Sequence, residues 1–347
     1  MYNMVFEWGN YLTTEERKQK KQLDTGKRCC PCSEDVPLFW KINWAAALVH
    51  LGNTVATLVL FLVSDHRDAT FKLSEKYAPW EPPINGTCAE DGFRVSDDWC
   101  IVNKEAVTDE LSLWWLIIAF HFLSFVFQTL AMADWRVEFC DKWFERDPYV
   151  EEVIFKGTNT LRMIEYSVSA TLMQIAIALV LGIYQRLVII GVAFLTVVTM
   201  LFGLIAEKIK FKQLGTAWYA HLSGWVSMGG VWFILGRQFA FTIEKSDTKP
   251  PDFVYAIVII IGVLYTGFAL VQTYDLYLKQ SSIVNNNEEP PSKKNEEPPS
   301  KKNEEPPSKK EDNVKIEMYY CILSLTSKTF LGWIIFANAL VGMASNN

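Results

Sequence analysis

Two ionisable residues stand out in the 347-residue chain: Lys328 lies in the middle of a long apolar stretch, and Glu165 lies near the start of another. A charge is costly to place in a lipid bilayer, so an ionisable residue within an apolar stretch is a candidate functional group. A buried lysine amine can attack an aldehyde and form a Schiff base, and the protonated Schiff base then needs a counter-ion. The same pair could instead couple ions or protons in a transporter, or be a purely structural ion pair. These residue types therefore leave three uses open.

The two residues are predicted to lie at the same depth. Glu165 follows Lys156 by nine residues, and Lys328 follows Glu317 by eleven. At a helical rise of about 1.5 Å per residue, the two groups lie roughly 14 and 17 Å from the same boundary. A carboxylate and an ammonium at one level can pair across a helical bundle, and each lowers the desolvation cost of the other.

Further polar residues fall near this level. Ser324 lies four residues before Lys328, on the same helical face. A histidine between helices is often a neutral, hydrogen-bonded side chain, but two histidines beside a Lys–Glu pair favour a functional polar cavity. His221, near the end of an apolar stretch, is interpreted as structural. The candidate cavity residues are His50, His121 and Arg162.

Half of the residues are hydrophobic and 21% are charged, with a mean hydropathy of +0.10. Apart from Lys328, seven windows lack Asp, Glu, Lys and Arg, and each can cross about 30 Å of hydrocarbon as a helix. So many windows in one chain argue against buried helices of a soluble core and predict an all-α, multi-pass membrane protein. The windows are Ile42–Ser64, Leu111–Ala133, Tyr166–Gln185, Leu187–Ala206, Gln213–Gly236, Phe253–Tyr274 and Met318–Asn347.

The distribution of basic residues predicts the orientation. Lys and Arg are concentrated in four segments, numbered 1–41, 134–161, 207–212 and 275–317. The positive-inside rule then predicts a cytoplasmic N-terminus and an extracellular C-terminus. Residues 1–41 form a basic cytoplasmic segment in this interpretation, and residues 42–345 form the seven-helix domain. The net charge of −6 does not indicate a nucleic-acid surface.

Two loops stand out. The outer loop, residues 65–110, contains Cys88 and Cys100, which could form a disulfide in an oxidising compartment or remain free thiols. It also contains the glycosylation sequon that begins at Asn85. Residues 287–310 repeat Asn-Glu-Glu-Pro-Pro-Ser-Lys-Lys, which predicts a disordered insertion over 281–315. The loops show neither a nucleophile–base set nor metal-ligand spacing, so an enzyme and a metal site are disfavoured.

Several motifs together resemble the heliorhodopsin family. The segment Leu323–Lys328 resembles the retinal-attachment helix of that family, and Arg162–Ser169 resembles its third helix, in which the Glu is the counter-ion. The inside placement of the N-terminus and the long loop after the first helix also resemble the family. The resemblance covers roughly residues 40–345 without the repeat. Further matching segments are Ala47–Leu51, His121–Leu123, Met200–Gly203 and Phe253–Ala256.

The resemblance implies a seven-transmembrane-helix rhodopsin bundle with all-trans retinal bound to Lys328. It implies that Glu165 is the counter-ion and that Ser324 forms a hydrogen bond near the imine. His50 and His121, with Arg162, would line a cavity on the inner side that takes up the proton after illumination. The residues expected along the retinal chain, unless they are plain packing residues, are Tyr166, Ser169, Ala170, Met173, Tyr265 and Phe268.

The fifth helix departs from the family pattern. It carries Met228-Gly229-Gly230 where a Pro-Trp-like element is expected, so no ring-pocket residues are predicted there. The resemblance implies a homodimer, and Gly224, Gly229 and Gly230 would allow close helix approach.

The leading functional hypothesis is a light sensor in the lipid membrane that a cytoplasmic signalling partner reads. The alternative is a light-gated proton or ion channel, which would need a continuous polar path. A third hypothesis is a transporter or receptor without a chromophore. Visible absorption with retinal separates the third hypothesis from the first two, and photocurrent separates those two from each other.

Overall fold

A computed structural model provides the fold. It describes residues 35–64, 70–83, 87–88, 92–96, 98, 100–102, 104–132, 153, 157–245, 249, 252–288 and 307–344. Most of the basic N-terminal segment, the sequon at Asn85 and repeat residues 289–306 lie outside the described residues.

The described part of the chain contains seven helices that are long and apolar enough to cross a membrane. The predicted seven-helix bundle is therefore confirmed. The helices are α1 (Asp35–Val63), α2 (Leu113–Met132), α3 (Thr160–Val180), α4 (Arg186–Ile209), α5 (Leu214–Lys245), α6 (Asp252–Ala256, a π-helical turn at Ile257–Ile261, then Gly262–Glu288) and α7 (Pro307–Ala344).

Several helices begin earlier than the charge-free windows predicted, among them the two that carry the central pair. Helix α3 begins at Thr160 and α7 at Pro307. The windows stop at charged residues, but Arg162 and Glu317 lie inside these helices and are bound to each other. A charge with a partner of opposite sign can be buried within a helix, so the absence of charge underestimates helix length.

The insertion predicted over 281–315 is helical at both ends, so its predicted limits are wrong. Helix α6 continues to Glu288, and α7 already includes the residues before 315. Val314 and Ile316 are buried, and Lys279 Nζ on α6 donates a hydrogen bond to Asn313 Oδ1 on α7 at 3.3 Å. Apolar burial and this cross-helix contact keep the flanks of the repeat in the bundle.

The outer loop contains β-strands, which an all-α assignment did not predict. The strands are β1 (Phe71–Tyr77), β2 (Trp80–Glu81), β3 (Gly92–Arg94), β4 (Cys100–Val102) and β5 (Lys104–Leu111). β1 pairs antiparallel with β5, and β4 lies between β2 and β3 in a second antiparallel sheet. Lys104 donates a hydrogen bond to Glu81, and this bond raises the pKa of the Lys104 ammonium. A disulfide joins Cys88 and Cys100.

The first sheet packs against the turn between α3 and α4. Gly182 in this turn has a φ of +79°, a conformation that glycine adopts without steric cost. Ser74 N on β1 donates to Tyr184 O at 2.9 Å, and Arg186 at the start of α4 forms an ion pair with Asp109 at 3.3 Å. These contacts place the strands at the end of the bundle where α3 ends and α4 begins.

Helix α3 lies deepest in the bundle. It packs against α2 and α4, and Ala176 through Leu179 are fully buried. Any polar side chain on the inward faces of α3 is therefore shielded from lipid and can meet groups on several other helices.

Candidate functional site

The structure brings Lys328 on α7 and Glu165 on α3 into direct contact. Lys328 Nζ donates to Glu165 Oε1, and the two residues are 2% and 3% exposed. The same carboxylate oxygen accepts hydrogen bonds from Ser124 Oγ at 2.7 Å and Ser169 Oγ at 3.0 Å. A buried carboxylate that accepts a charged donor and two hydroxyls is held in one position.

Ser124 on α2 takes the place that sequence analysis assigned to Ser324. Lys328 Nζ donates to Ser124 Oγ at 2.6 Å, so this hydroxyl bridges the amine and Glu165. Ser324 lines the neighbouring cavity, but its Oγ forms no hydrogen bond within the described part of the chain. The amine extends from α7 toward α2 and α3, away from its own preceding turn. Ser124 lies three residues after His121, on the same face of α2, and this spacing could have identified it.

The two predicted histidines contact each other. His50 Nδ1 on α1 lies 3.3 Å from His121 Nδ1 on α2, and both residues are fully buried. On α2, His121 precedes Ser124 and is therefore nearer to β5. On α7, a Cβ on Gly332 would lie 2.6 Å from His121 Nε2, and Gly332 follows Lys328 by one turn.

The predicted location of these histidines on the inner side is therefore wrong in a bundle with a cytoplasmic N-terminus. They lie on the side of the Lys328–Glu165 pair that faces the strands, because α2 starts at the strands and reaches His121 before Ser124. The depth of a residue along its own span does not reveal on which side of Lys328 a histidine of another helix lies. That position depends on the register between α2 and α7.

Arg162 lies on the opposite side of the pair and does not join the histidines. Its guanidinium donates to Glu207 on α4 and to Glu317 on α7. Asn159 supports both carboxylates, with its Nδ2 donating to Glu317 at 2.8 Å and its backbone N donating to Glu207 at 3.1 Å. The guanidinium also lies 3.8 Å from the ring centre of Tyr320. This Arg162 cluster (Arg162, Glu207 and Glu317) joins three helices.

Glu207 and Glu317 are not among the site residues predicted from the sequence, because the predicted membrane spans end at charged residues. The same applies to a neighbouring buried pair, Lys210 at the C-terminal end of α4 and Asp275 on α6. Each of these acids lies next to one end of a charge-free window. A basic residue that borders another window on the same side of the predicted membrane could have identified the partner of each acid.

A small polar cavity, the inner cavity, separates Glu165 from the Arg162 cluster. Its volume is about 30 Å³, which is room for about two water molecules. Gln128 Oε1 and Arg162 Nε, both on residues that line this inner cavity, are buried and without hydrogen-bond partners in the described ranges. Buried polar atoms usually have a partner, so the inner cavity fits ordered water.

A larger cavity of about 90 Å³ begins at Lys328 and passes between α3 and α6. All six residues expected along the retinal chain line it, as do Ser324 and Lys328. The rings of Tyr166 and Phe268 meet edge to face with centres 5.3 Å apart, and Tyr166 Oη donates to Tyr320 O at 3.1 Å. Tyr265 Oη donates to Ala170 O at 3.4 Å. These bonds fix the aromatic walls of the cavity.

The far wall of this cavity is built by α4 and α5. Sequence analysis assigned no pocket residue to α5, but Met228, within the segment that departed from the family pattern, lines the cavity. The wall residues missed by sequence analysis are Thr196, Thr199, Met200, Gly203, His221, Gly224, Trp225, Met228 and Val231. A long, mostly apolar cavity with a buried amine at one end fits a long apolar aldehyde such as retinal.

A family match covers most of the chain. The heliorhodopsin family model matches residues 39–282, from α1 into α6, and ends before the helix that carries Lys328. A search of the curated proteins gives no match. Heliorhodopsins are light-sensing membrane proteins that bind retinal as their chromophore. The chain belongs to the heliorhodopsin family and is an integral, multi-pass membrane protein with retinal as its cofactor.

Proposed function

We propose that Lys328 binds all-trans retinal as a protonated Schiff base, that Glu165 is its counter-ion, and that a cytoplasmic partner reads the light signal. The observation that supports this most directly is the buried contact between Lys328 and Glu165 at one end of the apolar cavity. When bound, retinal supplies visible-light absorption. The protein supplies the position of the nitrogen, the counter-charge and the exclusion of water.

Glu165 keeps a proton on the Lys328 nitrogen through its negative charge. Two hydroxyl donors on Oε1, from Ser124 and Ser169, stabilise the carboxylate and hold it beside the nitrogen. Ser124 also accepts a hydrogen bond from Nζ, so it offers a short route for a proton from the nitrogen to Glu165. The inner cavity next to Glu165 can receive a proton that leaves this pair.

The proposed orientation places the N-terminus in the cytoplasm and the strands outside. The concentration of Lys and Arg in alternate loops supports it, as does the Cys88–Cys100 disulfide, which suits an oxidising compartment. The division into a cytoplasmic segment, residues 1–41, and a retinal-binding domain, residues 42–345, is part of the same proposal.

A homodimer is also proposed. The glycines of α5 were expected to allow close approach of a second copy, but the structure gives two of them another role. A Cβ on Gly224 would lie 3.5 Å from Phe202 Cβ, and one on Gly230 would lie 3.5 Å from Leu195. These two glycines therefore pack α5 against α4 of the same chain, whereas a Cβ on Gly229 would meet nothing within 4 Å. The support comes from the family resemblance and from exposed apolar residues on α4 and α5, including Phe194 and Val226, which lipid or a second copy can cover.

Replacing Glu165 with Gln tests the counter-ion. A charge pair at about 4 Å is worth about 4 kcal/mol at an effective dielectric constant of 20, so its loss strongly disfavours the protonated nitrogen. We expect E165Q to bind retinal but to absorb mainly in the near ultraviolet at neutral pH. Absorption spectra of purified pigment measure this, with Glu244→Gln on exposed α5 as the control. A visible band of unchanged strength in E165Q would exclude Glu165 as the counter-ion.

Replacing Ser124 with Ala tests the bridging hydroxyl. The change removes one hydrogen bond to Glu165, worth about 1.5–3 kcal/mol with a charged partner, and an acceptor that lies 2.6 Å from Lys328 Nζ. We expect S124A to keep its pigment but to shift its absorption maximum and slow proton movement after a flash. Ser324→Ala is the matched control, because the Ser324 hydroxyl forms no hydrogen bond to either group in the described part of the chain. Larger effects in S324A than in S124A would reverse this assignment.

A light-gated proton channel is the alternative function. Buried polar atoms without hydrogen-bond partners in the described ranges, on both sides of the Lys328–Glu165 pair, support it. His50 Nε2 and His121 Nε2 lie on one side, with Gln128 Oε1 and Arg162 Nε on the other, and none has a hydrogen-bond partner among the described residues. Waters at these atoms would form parts of a polar path interrupted by Lys328 and Glu165.

Light-evoked current under voltage clamp separates the sensor from the channel. In retinal-supplemented cells, the sensor gives pigment without steady current, and the channel gives a current whose reversal potential follows the proton gradient. In the channel case, Gln128→Leu should reduce the current, because it removes a polar group from the inner cavity. The Lys328→Ala protein, measured in the same cells, controls for light artefacts.

A further inference from the structure

The far end of the larger cavity must hold the ring of the retinal. Lys328 Nζ lies beside α2 and α3, in contact with Ser124 and Glu165. The opposite wall belongs to α4 and α5, where Thr199 and Met228 line the cavity. A chain that starts at the Lys328 nitrogen and fills the cavity therefore places its ring between α3, α4 and α5.

This ring end is not purely apolar. Gln174 on α3 lines it, is 2% exposed, and its Oε1 has no hydrogen-bond partner in the part of the chain that the structure describes. Thr196 Oγ1 donates to Val192 O at 2.8 Å, and Thr199 Oγ1 donates to Leu195 O at 2.9 Å. Because both hydroxyl hydrogens are used by backbone carbonyls, these oxygens can only accept further hydrogen bonds. The wall therefore offers acceptors.

The other polar groups of this wall satisfy one another. His221 Nδ1 lies 3.0 Å from Gln272 Oε1, and its Nε2 accepts a hydrogen bond from Trp225 Nε1 at 2.9 Å. Gln272 Nε2 donates to Gly203 O at 2.9 Å. Among the described residues, the unmet capacity of this wall is thus the side-chain amide of Gln174, and an unsubstituted hydrocarbon ring would leave its Oε1 unsatisfied, at a cost in free energy.

We propose that the ring end is a subsite for a hydroxyl group on the retinal ring, with Gln174 Oε1 as the acceptor. This rests on the proposed attachment of retinal to Lys328. A ring hydroxyl donates to Gln174 and replaces an unpaired buried oxygen with a hydrogen bond. A ring ketone has no hydrogen to donate and can only accept one from Gln174 Nε2, so it would leave Oε1 unpaired.

Competition between chromophores tests the subsite. Full-length protein is expressed without retinal and given equimolar mixtures of all-trans retinal with all-trans 3-hydroxyretinal, 4-hydroxyretinal or 4-oxoretinal. Hydroxylamine then releases the bound chromophores for chromatographic quantification. We expect at least one hydroxylated form to be preferred over retinal by about fivefold, the range of one neutral hydrogen bond, and 4-oxoretinal, which cannot donate to Gln174 Oε1, to show a smaller preference.

Gln174→Met removes the acceptor at similar volume and should abolish the preference while pigment still forms. Gln280→Met, the same change at an exposed position of α6, should retain it. Equal uptake of retinal and both hydroxylated forms by the wild type overturns the proposal, as does a preference that survives Q174M. The wild-type ratio decides the question even if Q174M does not fold. Failure of every aldehyde to form pigment overturns instead the attachment to Lys328, on which the proposal rests.

Discussion

Protein with Lys328 replaced by Ala or Arg forms no visible pigment when retinal is supplied. Alanine has no amine, and the guanidinium of arginine stays protonated and does not act as a Schiff-base nucleophile. The two variants differ in what they leave at Glu165. K328A removes the charged donor to the buried carboxylate, whereas K328R keeps a cation that can pair with it.

Absorption spectra of both variants, purified after expression with retinal, measure the effect. We expect complete loss of the visible band in both and a higher yield of folded protein for K328R, because an unpaired buried charge destabilises the fold. Lys315→Ala is the control on the same helix, since Lys315 is exposed and pairs only with Glu311 among the ion pairs of the described chain. A visible band in either Lys328 variant would refute the attachment site.

Arg162→Gln lowers the free energy of unfolding by about 3–5 kcal/mol, the cost of removing one partner from a buried ion pair. Glu207 and Glu317 are both buried, and both lose the guanidinium that binds them. Because these carboxylates come from α4 and α7, the loss acts on the contacts of three helices. The effect therefore exceeds that of a surface ion pair, which is usually worth less than about 1 kcal/mol.

Thermal unfolding of the pigment in lipid nanodiscs, followed by loss of the visible band, measures this change. A loss of this size corresponds to a decrease in Tm of about 10 °C. Arg237→Gln, at an exposed position of α5, should change the Tm little. The triple variant R162L/E207L/E317L should recover much of the stability, because apolar residues remove the unpaired charges. A Tm of R162Q equal to that of R237Q would show that the cluster is not a structural clamp.

Local properties of the chain were sufficient to predict the seven helices and the central pair, whereas six residues of the cavity wall came from the family resemblance. Span length follows from apolar runs, and the common depth of Lys328 and Glu165 follows from the constant rise of a helix. The resemblance, with Glu165 as its reference point, implied that Tyr166, Ala170 and Met173 lie along the retinal chain.

The identity of the partners across the bundle depended on packing between helices far apart in sequence. Whether Ser324 or Ser124 binds the amine depends on the direction in which the Lys328 side chain extends. The side of the pair on which His121 lies depends on the register of α2 against α7. The partners of Arg162 are Glu207 and Glu317 on two other helices, and Gln174 Oε1 has no hydrogen-bond partner among the described residues. Rotation and register between helices set these contacts, and a one-dimensional pattern carries neither quantity.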